Sequence, residues 1–197
     1  MNTEKKSTIK RKKIITAAAA VFSQKGFHQA KMDEIATKAQ VAKGTLYYNF
    51  SSKSLLFSAT VTEGMETIIS QVREELVSDL PFSDHFRLLV STMVRLHIKH
   101  NDLTLICFNE ISSGIDDGVL EEIRKVRTRF IDFIAELLTV GQAKGYIKDI
   151  DVQLAAVALA GIIDSVCSHI LLNPRKTSRK KAVDTLHEIL SSGFLKA

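Results

Sequence analysis

Proline does not occur before position 81, and the second and last proline is Pro174. Proline removes a backbone donor and clashes with the preceding turn, so a chain that avoids it leaves helices free to run long. Only nine glycines punctuate the 197 residues, and Leu, Ile, Ala, Lys and Glu dominate between them. Apolar positions recur at helical spacing instead of alternating. The expected class is all-α, with about nine helices.

Ile14, Ala18, Val21 and Phe22 share one face of a first helix over 9–25, with Ser7 or Thr8 as candidate cap and Gly26 as its stop. Met32, Ile35, Ala36 and Ala39 predict a short second helix with Asp33 and Glu34 at its positive end. A tight turn at "VAKG" leads to a third, "TLYYNF", which Gly44 lets the chain enter. Two short helices joined by a tight turn behind a longer one is the grammar of a helix-turn-helix. From Lys53 the pattern lengthens through Leu56, Val61, Met65, Ile68 and Val72 to about Leu76. Further helices are predicted at 83–100, 102–113, 117–144, 151–172 and 177–195. Their starts fall at Ser83, Asp102, Asp116 or Asp117, Asp149 or Asp151, and Thr177 or Ser178.

Charge is unevenly spread. Residues 1–57 carry eleven Lys and Arg against three Asp and Glu, a net +8, and residues 58–197 carry sixteen against nineteen, a net −3. A basic module on a mildly acidic body points to a polyanion partner, nucleic acid or an anionic surface. No apolar signal-like region follows the basic start, and no uninterrupted apolar run approaches the roughly 18 residues of a span. The expectation is a cytoplasmic protein without a membrane segment. Cys107 and Cys167, far apart within apolar runs, read as buried thiols. No P-loop, GxSxG, HExxH or paired-carboxylate setting occurs, so neither catalysis nor a cofactor is expected. His97 and His100 lack a third ligand in register, and no metal site is expected.

"KGTLYYNF", residues 43–50, suits an exposed helix entering a DNA major groove. Lys43 supplies charge, Gly44 allows close approach to a phosphate, and Thr45 can cap the helix and donate to phosphate. Tyr47 and Tyr48 carry hydroxyls on rigid rings, and adjacent helical residues cannot both face one core. Leu46 and Phe50 point the other way as anchors, and Lys53 adds a phosphate-directed charge.

Residues 10–57 resemble the DNA-binding domain of TetR-family transcriptional repressors. The resemblance is carried by "AAAAVFSQKGF", then "DEIATKAQVAKGTLYYNFSSKSLLF", and above all by the run G-T-L-Y-x-x-F-x-S-K. It implies an all-helical homodimer with a helix-turn-helix domain, 1–54, and a ligand-binding and dimerisation domain, 55–197. Such a protein binds a palindromic double-stranded operator and leaves it when a hydrophobic small molecule binds. The resemblance maps DNA contact onto Lys43, Gly44, Thr45, Tyr47, Tyr48, Asn49 and Lys53. Lys31 stands where the family commonly has Thr and can hold a phosphate by charge without capping the helix. Asn49 stands where the family often has His and can pair with adenine if it reaches a base edge.

In the body, Met65, Ile69, Phe86, Leu89, Val90, Met93, Phe108, Ile111, Phe130, Phe133, Ile134 and Leu137 exceed what surface helices need. They either pack solidly or line a cavity, where His97, with Arg95, Asn109 and Glu110 nearby, would meet a ligand's polar end. Arg124, Lys125, Arg127 and Arg129 form either a solvated face paired with Glu121 and Glu122 or the entry for a phosphate-bearing ligand. The carboxyl-terminal stretch "GQAKGYIKDIDVQLAAVALAGIIDSVCSHILLN" resembles, less specifically, sensors of the acyl-CoA-responsive branch that represses fatty-acid degradation genes. That likeness implies a long-chain acyl-CoA or fatty acid as effector, against a multidrug-type sensor regulating an efflux gene. From another class stands a helical membrane-surface or protein-binding module. Helices 151–172 and 177–195, meeting their twofold mates, are the expected homodimer interface, with Gly161 allowing close approach.

Overall fold

A computed structural model describes residues 2–76, 81–109, 115–174 and 177–196; of residues 2–7, 82, 83 and 107–109 only the backbone is described. Among these residues the chain forms nine α-helices and one isolated antiparallel bridge, Ile147 with Leu195. In chain order they are α1 (Asn2–Gln29), α2 (Met32–Lys38), α3 (Lys43–Asn49), α4 (Lys53–Glu75) and α5 (Phe82–Lys99). They continue with α6 (Asn101–Asn109), α7 (Asp117–Ala143), α8 (Val152–Leu172) and α9 (Arg179–Phe194). The expected positions 110–113 of the sixth helix lie outside the described residues.

α1 starts earlier than its apolar spacing predicts, so Ser7 and Thr8 lie inside it and not at its start. The expected stop, Gly26, is a break inside this span, at φ 72°, ψ 172°, a positive φ that glycine takes without strain, and a last helical turn follows it to Gln29. The turn between α2 and α3 is made by Gln40, at φ 56°, and not by Gly44, which is helical. α5 begins behind Pro81 and α6 at Asn101, one residue before the expected Ser83 and Asp102. Asp116, Asp151 and Ser178 do cap α7, α8 and α9, each side chain accepting a first-turn N–H.

Phe22, Phe27 and Phe57 form an aromatic knot, with Phe57 5.0 Å from Phe22 and 5.2 Å from Phe27 by ring centroids, both edge-to-face. Phe57 belongs to α4, so the first three helices are bolted to the start of the helix that continues into the body. The apolar core runs on from this knot without a break along α4 to α5, α7 and α8. α8 is long and apolar enough to cross a membrane by length and composition. It packs on α5, α6, α7 and α9, and it leaves Leu154, Val157 and Leu172 exposed on one stripe. Cys167 is fully buried there, and burial, with Asp164 nearby, pushes its thiol up to about 12. The side chain of Cys107 lies outside those described.

Candidate nucleic-acid interface and internal cavity

Seven residues of α3 sort cleanly by face. Leu46 is fully buried and Phe50, just past the helix, is 5% exposed, while Tyr48 is 87% exposed and Tyr47 42%. The two anchors set the roll of the helix, and the tyrosines therefore stand outward. Thr45 does not cap α3: Ala42 occupies the cap position, and no side chain bonds there. A Cβ added at Gly44 would meet nothing within 4 Å, so an external surface can approach the backbone there.

The charged and amide groups of this face are already engaged. Lys43 pairs with Asp33 at 2.8 Å, and that hydrogen bond and charge raise its pKa above the ordinary lysine value. Asn49 donates Nδ2–H to the Thr45 carbonyl at 2.7 Å. Lys53 donates to the carbonyls of His28 and Ala30 at 3.0 and 3.2 Å and lies 4.6 Å over the Phe27 ring. It thereby closes the carboxyl end of α1, where a cation complements the helix dipole. Lys31, at the start of α2, makes no capping bond.

A cavity of about 320 Å³ lies in the body. α4 contributes Met65 and Ile68, α6 Leu103 and Thr104, and α7 Ile123, Arg127, Phe130 and Ile131. α5 gives His97, and α8 adds Ala160, Gly161, Asp164, Ser165 and Ser168. Of the expected lining, Met65, His97 and Phe130 border it. Ile69, Phe86, Leu89, Val90, Met93, Phe133, Ile134 and Leu137 fill the core instead. Phe86 is turned toward α9, 6.3 Å from the rings of His187 and Phe194, and Phe133 lies beneath the Arg73 guanidinium. The cavity takes the α7 face at 123, 127 and 130/131, and 133, 134 and 137 lie beyond it. The side chains of Phe108 and Ile111 fall outside those described.

The polar end of the cavity is a connected set. His97, 6% exposed, has Nδ1 2.7 Å from the Met93 carbonyl and Nε2 2.8 Å from Asp164 Oδ1. A carbonyl only accepts, so Nδ1 is the side of the ring that donates to Met93, and Nε2 faces the Asp164 carboxylate. Arg127 stands 3.8 Å from Asp164 Oδ2, beyond hydrogen-bond reach. The Ser168 hydroxyl is buried with no partner among the described residues, an acceptor and donor left for an occupant. Ala160, Asp164 and Ser168, four apart, are small or polar residues on one edge of an otherwise apolar helix. That stripe is the sequence signal for the cavity, and it is more specific than the apolar count on α5 and α7, which fits solid packing equally well.

The remaining basic residues of α7 are paired. Arg124 meets Glu121 at 3.5 Å, Lys125 meets Glu122 at 2.8 Å, and Arg129 meets Glu66 at 2.5 Å. The solvated, ion-paired reading of this cluster describes it, with Arg127 alone bordering the cavity.

Residues 14–60 match the family described as bacterial regulatory proteins, tetR family, and residues 79–168 match the tetracyclin repressor-like C-terminal domain. The chain is 26% identical over 183 residues to the fatty acid metabolism regulator protein of Bacillus subtilis, covering 92% of this chain and 93% of that one. It superposes on the fatty acid degradation regulator FadR of Bacillus halodurans with a TM-score of 0.84 and 25% identity, over 93% of this chain and 95% of that one. It also superposes on FadR of Bacillus subtilis, solved in complex with stearoyl-CoA, with a TM-score of 0.80 and 25% identity, over 92% and 97% of the two chains.

Proposed function

Matched in both its amino-terminal and carboxyl-terminal parts, the chain belongs to the tetR family of bacterial regulatory proteins, and from that premise we propose a ligand-responsive transcriptional repressor. It acts in the cytoplasm as a homodimer that binds a palindromic operator and is released by a long-chain acyl-CoA or fatty acid. Residues 1–54 form the DNA-binding domain and 55–197 the effector-binding and dimerisation domain.

The observation that carries this reading is the exposure of Tyr48 between buried Leu46 and Phe50. A phenol presented by a short helix on a basic module has the reach and the chemistry for a major groove. Lys31, Lys43, Gly44, Thr45, Tyr47, Asn49 and Lys53 complete the proposed contact. The exposed stripe of α8, with Ile189 on α9, is the proposed four-helix dimer interface, which sets two α3 helices about 34 Å or a multiple apart. The similarity to fatty acid regulators, one of them solved with stearoyl-CoA, supports the effector class. An apolar cavity with one hydrogen-bonding end supports it too.

The route from effector to DNA runs through α4 and α6. Both wall the cavity, and Asp102 of α6 accepts a 2.7 Å hydrogen bond from Ser23 of α1. An occupant that displaces these helices moves the DNA-binding domain and changes the spacing of the two recognition helices.

The test is operator binding by fluorescence anisotropy, using a palindromic duplex selected from random sequence and a scrambled control. Tyr48→Ala should weaken specific binding by roughly ten- to a hundredfold, about 1–3 kcal/mol, with unchanged thermal stability. Equal binding of both duplexes by the wild type, or by the mutant and wild type alike, would remove the assignment. Long-chain acyl-CoA or fatty acid, but not cationic dyes, should release the duplex.

A further inference from the structure

α3 packs chiefly on α2, so its orientation relative to the rest of the molecule depends on how its carboxyl end is held. That end is short. Phe50 closes α3, its N–H donating to the Leu46 carbonyl at 2.9 Å, and Ser52 already caps α4 by accepting the Leu55 N–H. With only Phe50 and Ser51 between Asn49 and that cap, the angle between α3 and α4 is set by whatever fixes Phe50.

The Phe50 ring is covered from α1. In the basic run 10–13, Lys10, Lys12 and Lys13 are exposed and Arg11 is half-buried. The Arg11 guanidinium carbon lies 4.8 Å over the Phe50 ring centroid, within cation–π range. The same guanidinium donates through Nη1 to Glu63 Oε1 at 2.5 Å, about three turns into α4. One planar cation therefore touches the residue that ends α3 and a fixed point on α4 while standing on α1. A lysine ammonium could not lie flat on a ring and present an edge to a carboxylate at once. The side chains of Arg11 and Glu63 are 39% and 47% exposed, and an ion pair so solvated adds little to stability. Its consequence lies in where it holds Phe50.

We infer that Arg11 is a positioning residue for operator recognition, which clamps Phe50 to Glu63 and so fixes the angle between α3 and α4. The inference rests on the reading of α3 as the helix that meets DNA. Hydrogen bonds to base edges weaken steeply when donor and acceptor are misaligned, whereas phosphate contacts carry no sequence information. A loosened α3 therefore loses the operator and keeps its grip on any duplex. The competing role for a half-exposed arginine on a basic module is a direct phosphate contact, and there Glu63 would be a hindrance that DNA must displace.

Glu63→Gln separates the two roles by sign. Freeing Arg11 and deleting a negative charge should tighten binding to every duplex if Arg11 meets phosphate, and should weaken operator binding if Arg11 positions α3. The experiment is anisotropy titration of the full-length protein with operator and scrambled duplex over a range of salt, with melting temperatures measured alongside. Arg11→Gln and Glu63→Gln should each weaken operator binding by about fivefold or more and move scrambled binding by less than about twofold, at unchanged melting temperature. The log–log salt slope should stay that of the wild type, since a lost phosphate contact would lower it by about 1. R11Q/E63Q should be no worse than R11Q, because the two residues act through one contact. Tighter binding of both duplexes by E63Q, or a salt slope lowered by about 1 in R11Q, makes Arg11 a phosphate contact and overturns the inference. So does a loss on both duplexes that follows a fall in melting temperature, or operator binding by both single variants equal to wild type. A wild type that binds operator and scrambled duplex alike would remove the DNA-binding reading itself, whereas a discriminating wild type with equally discriminating variants sinks this inference alone.

Discussion

The α3 face takes its side chains from one short run of sequence, whereas the internal cavity draws on five helices between Met65 and Ser168. On α3 a single roll angle, fixed by Leu46 and Phe50, decides what every other residue presents. In the body no single helix decides anything, because the cavity is the space that α4 to α8 fail to fill between them. The two regions also differ in how ready they are. Tyr48 stands fully outward and Tyr47 half-exposed with Lys43 Nζ 6.0 Å over its ring, but Lys43, Asn49 and Lys53 are bonded within the protein and would have to exchange partners to touch DNA. In the cavity the reverse holds: His97 and Asp164 are engaged and the Ser168 hydroxyl is left over. A local motif tolerates little change, while a packing space can be reshaped one residue at a time.

The strongest way to break this contrast is at the joint the regions share. Phe57 is fully buried in the aromatic knot at the start of α4, the helix whose later turns wall the cavity. Phe57→Ala should cost roughly 3–5 kcal/mol, counting lost transfer energy and the void left behind. With one continuous core, denaturant unfolding followed at a probe in α3 and at a probe beside the cavity should give a single transition. Two separated transitions would mean that the regions are energetically independent and that the Ser23–Asp102 link carries nothing between them.

Ala160→Leu sharpens it from the other side. The new side chain projects into the cavity, and overpacking should cost about 1–3 kcal/mol or less, since the space is empty of protein atoms. Operator affinity should be unchanged and effector-induced release weakened by about tenfold or more. An effector response equal to wild type would place the ligand elsewhere, and a parallel loss of operator binding would show the two regions to be inseparable.

A smaller effect is expected from Lys43→Gln. On the proposed contact Lys43 would exchange its Asp33 partner for phosphate, so its loss should weaken operator and scrambled duplex alike, by several-fold, and lower the log–log salt slope by about 1. A selective loss on the operator alone would make Lys43 a base reader.

The sequence carried the helical class, the positions of most helices and the DNA-binding module, because these depend on local spacing and on capping groups such as Asp116, Asp151 and Ser178. It misplaced the turn before α3, since Gly44 invites a turn and nothing in Gln40 announces a φ of 56°. Its apolar positions on α5 and α7 fit solid packing as well as a cavity wall, and large side chains such as Phe86 and Ile134 pack against neighbouring helices. The better signal was polar: Asp164 and Ser168 one turn apart in α8, residues that such a helix accommodates only beside a partner or a space.

The smallest effect concerns the basic run of α7, and it separates surface charge from site chemistry. Arg124 and Arg129 are more than half exposed and sit opposite Glu121 and Glu66. Exposed pairs of this kind are worth about 0–1 kcal/mol, because solvent screens the charges and long side chains lose freedom to meet. Arg124→Ala and Arg129→Ala together should therefore shift stability by no more than about 1 kcal/mol and leave effector affinity untouched. Arg127→Gln, one turn from Arg124 but bordering the cavity beside Asp164, should alter effector affinity without a matching change in stability. If instead the Arg124 and Arg129 changes weaken acyl-CoA binding and Arg127→Gln does not, the ligand's charged end lies on the α7 surface, and carboxylate pairing there is no more than the resting state of an anion site.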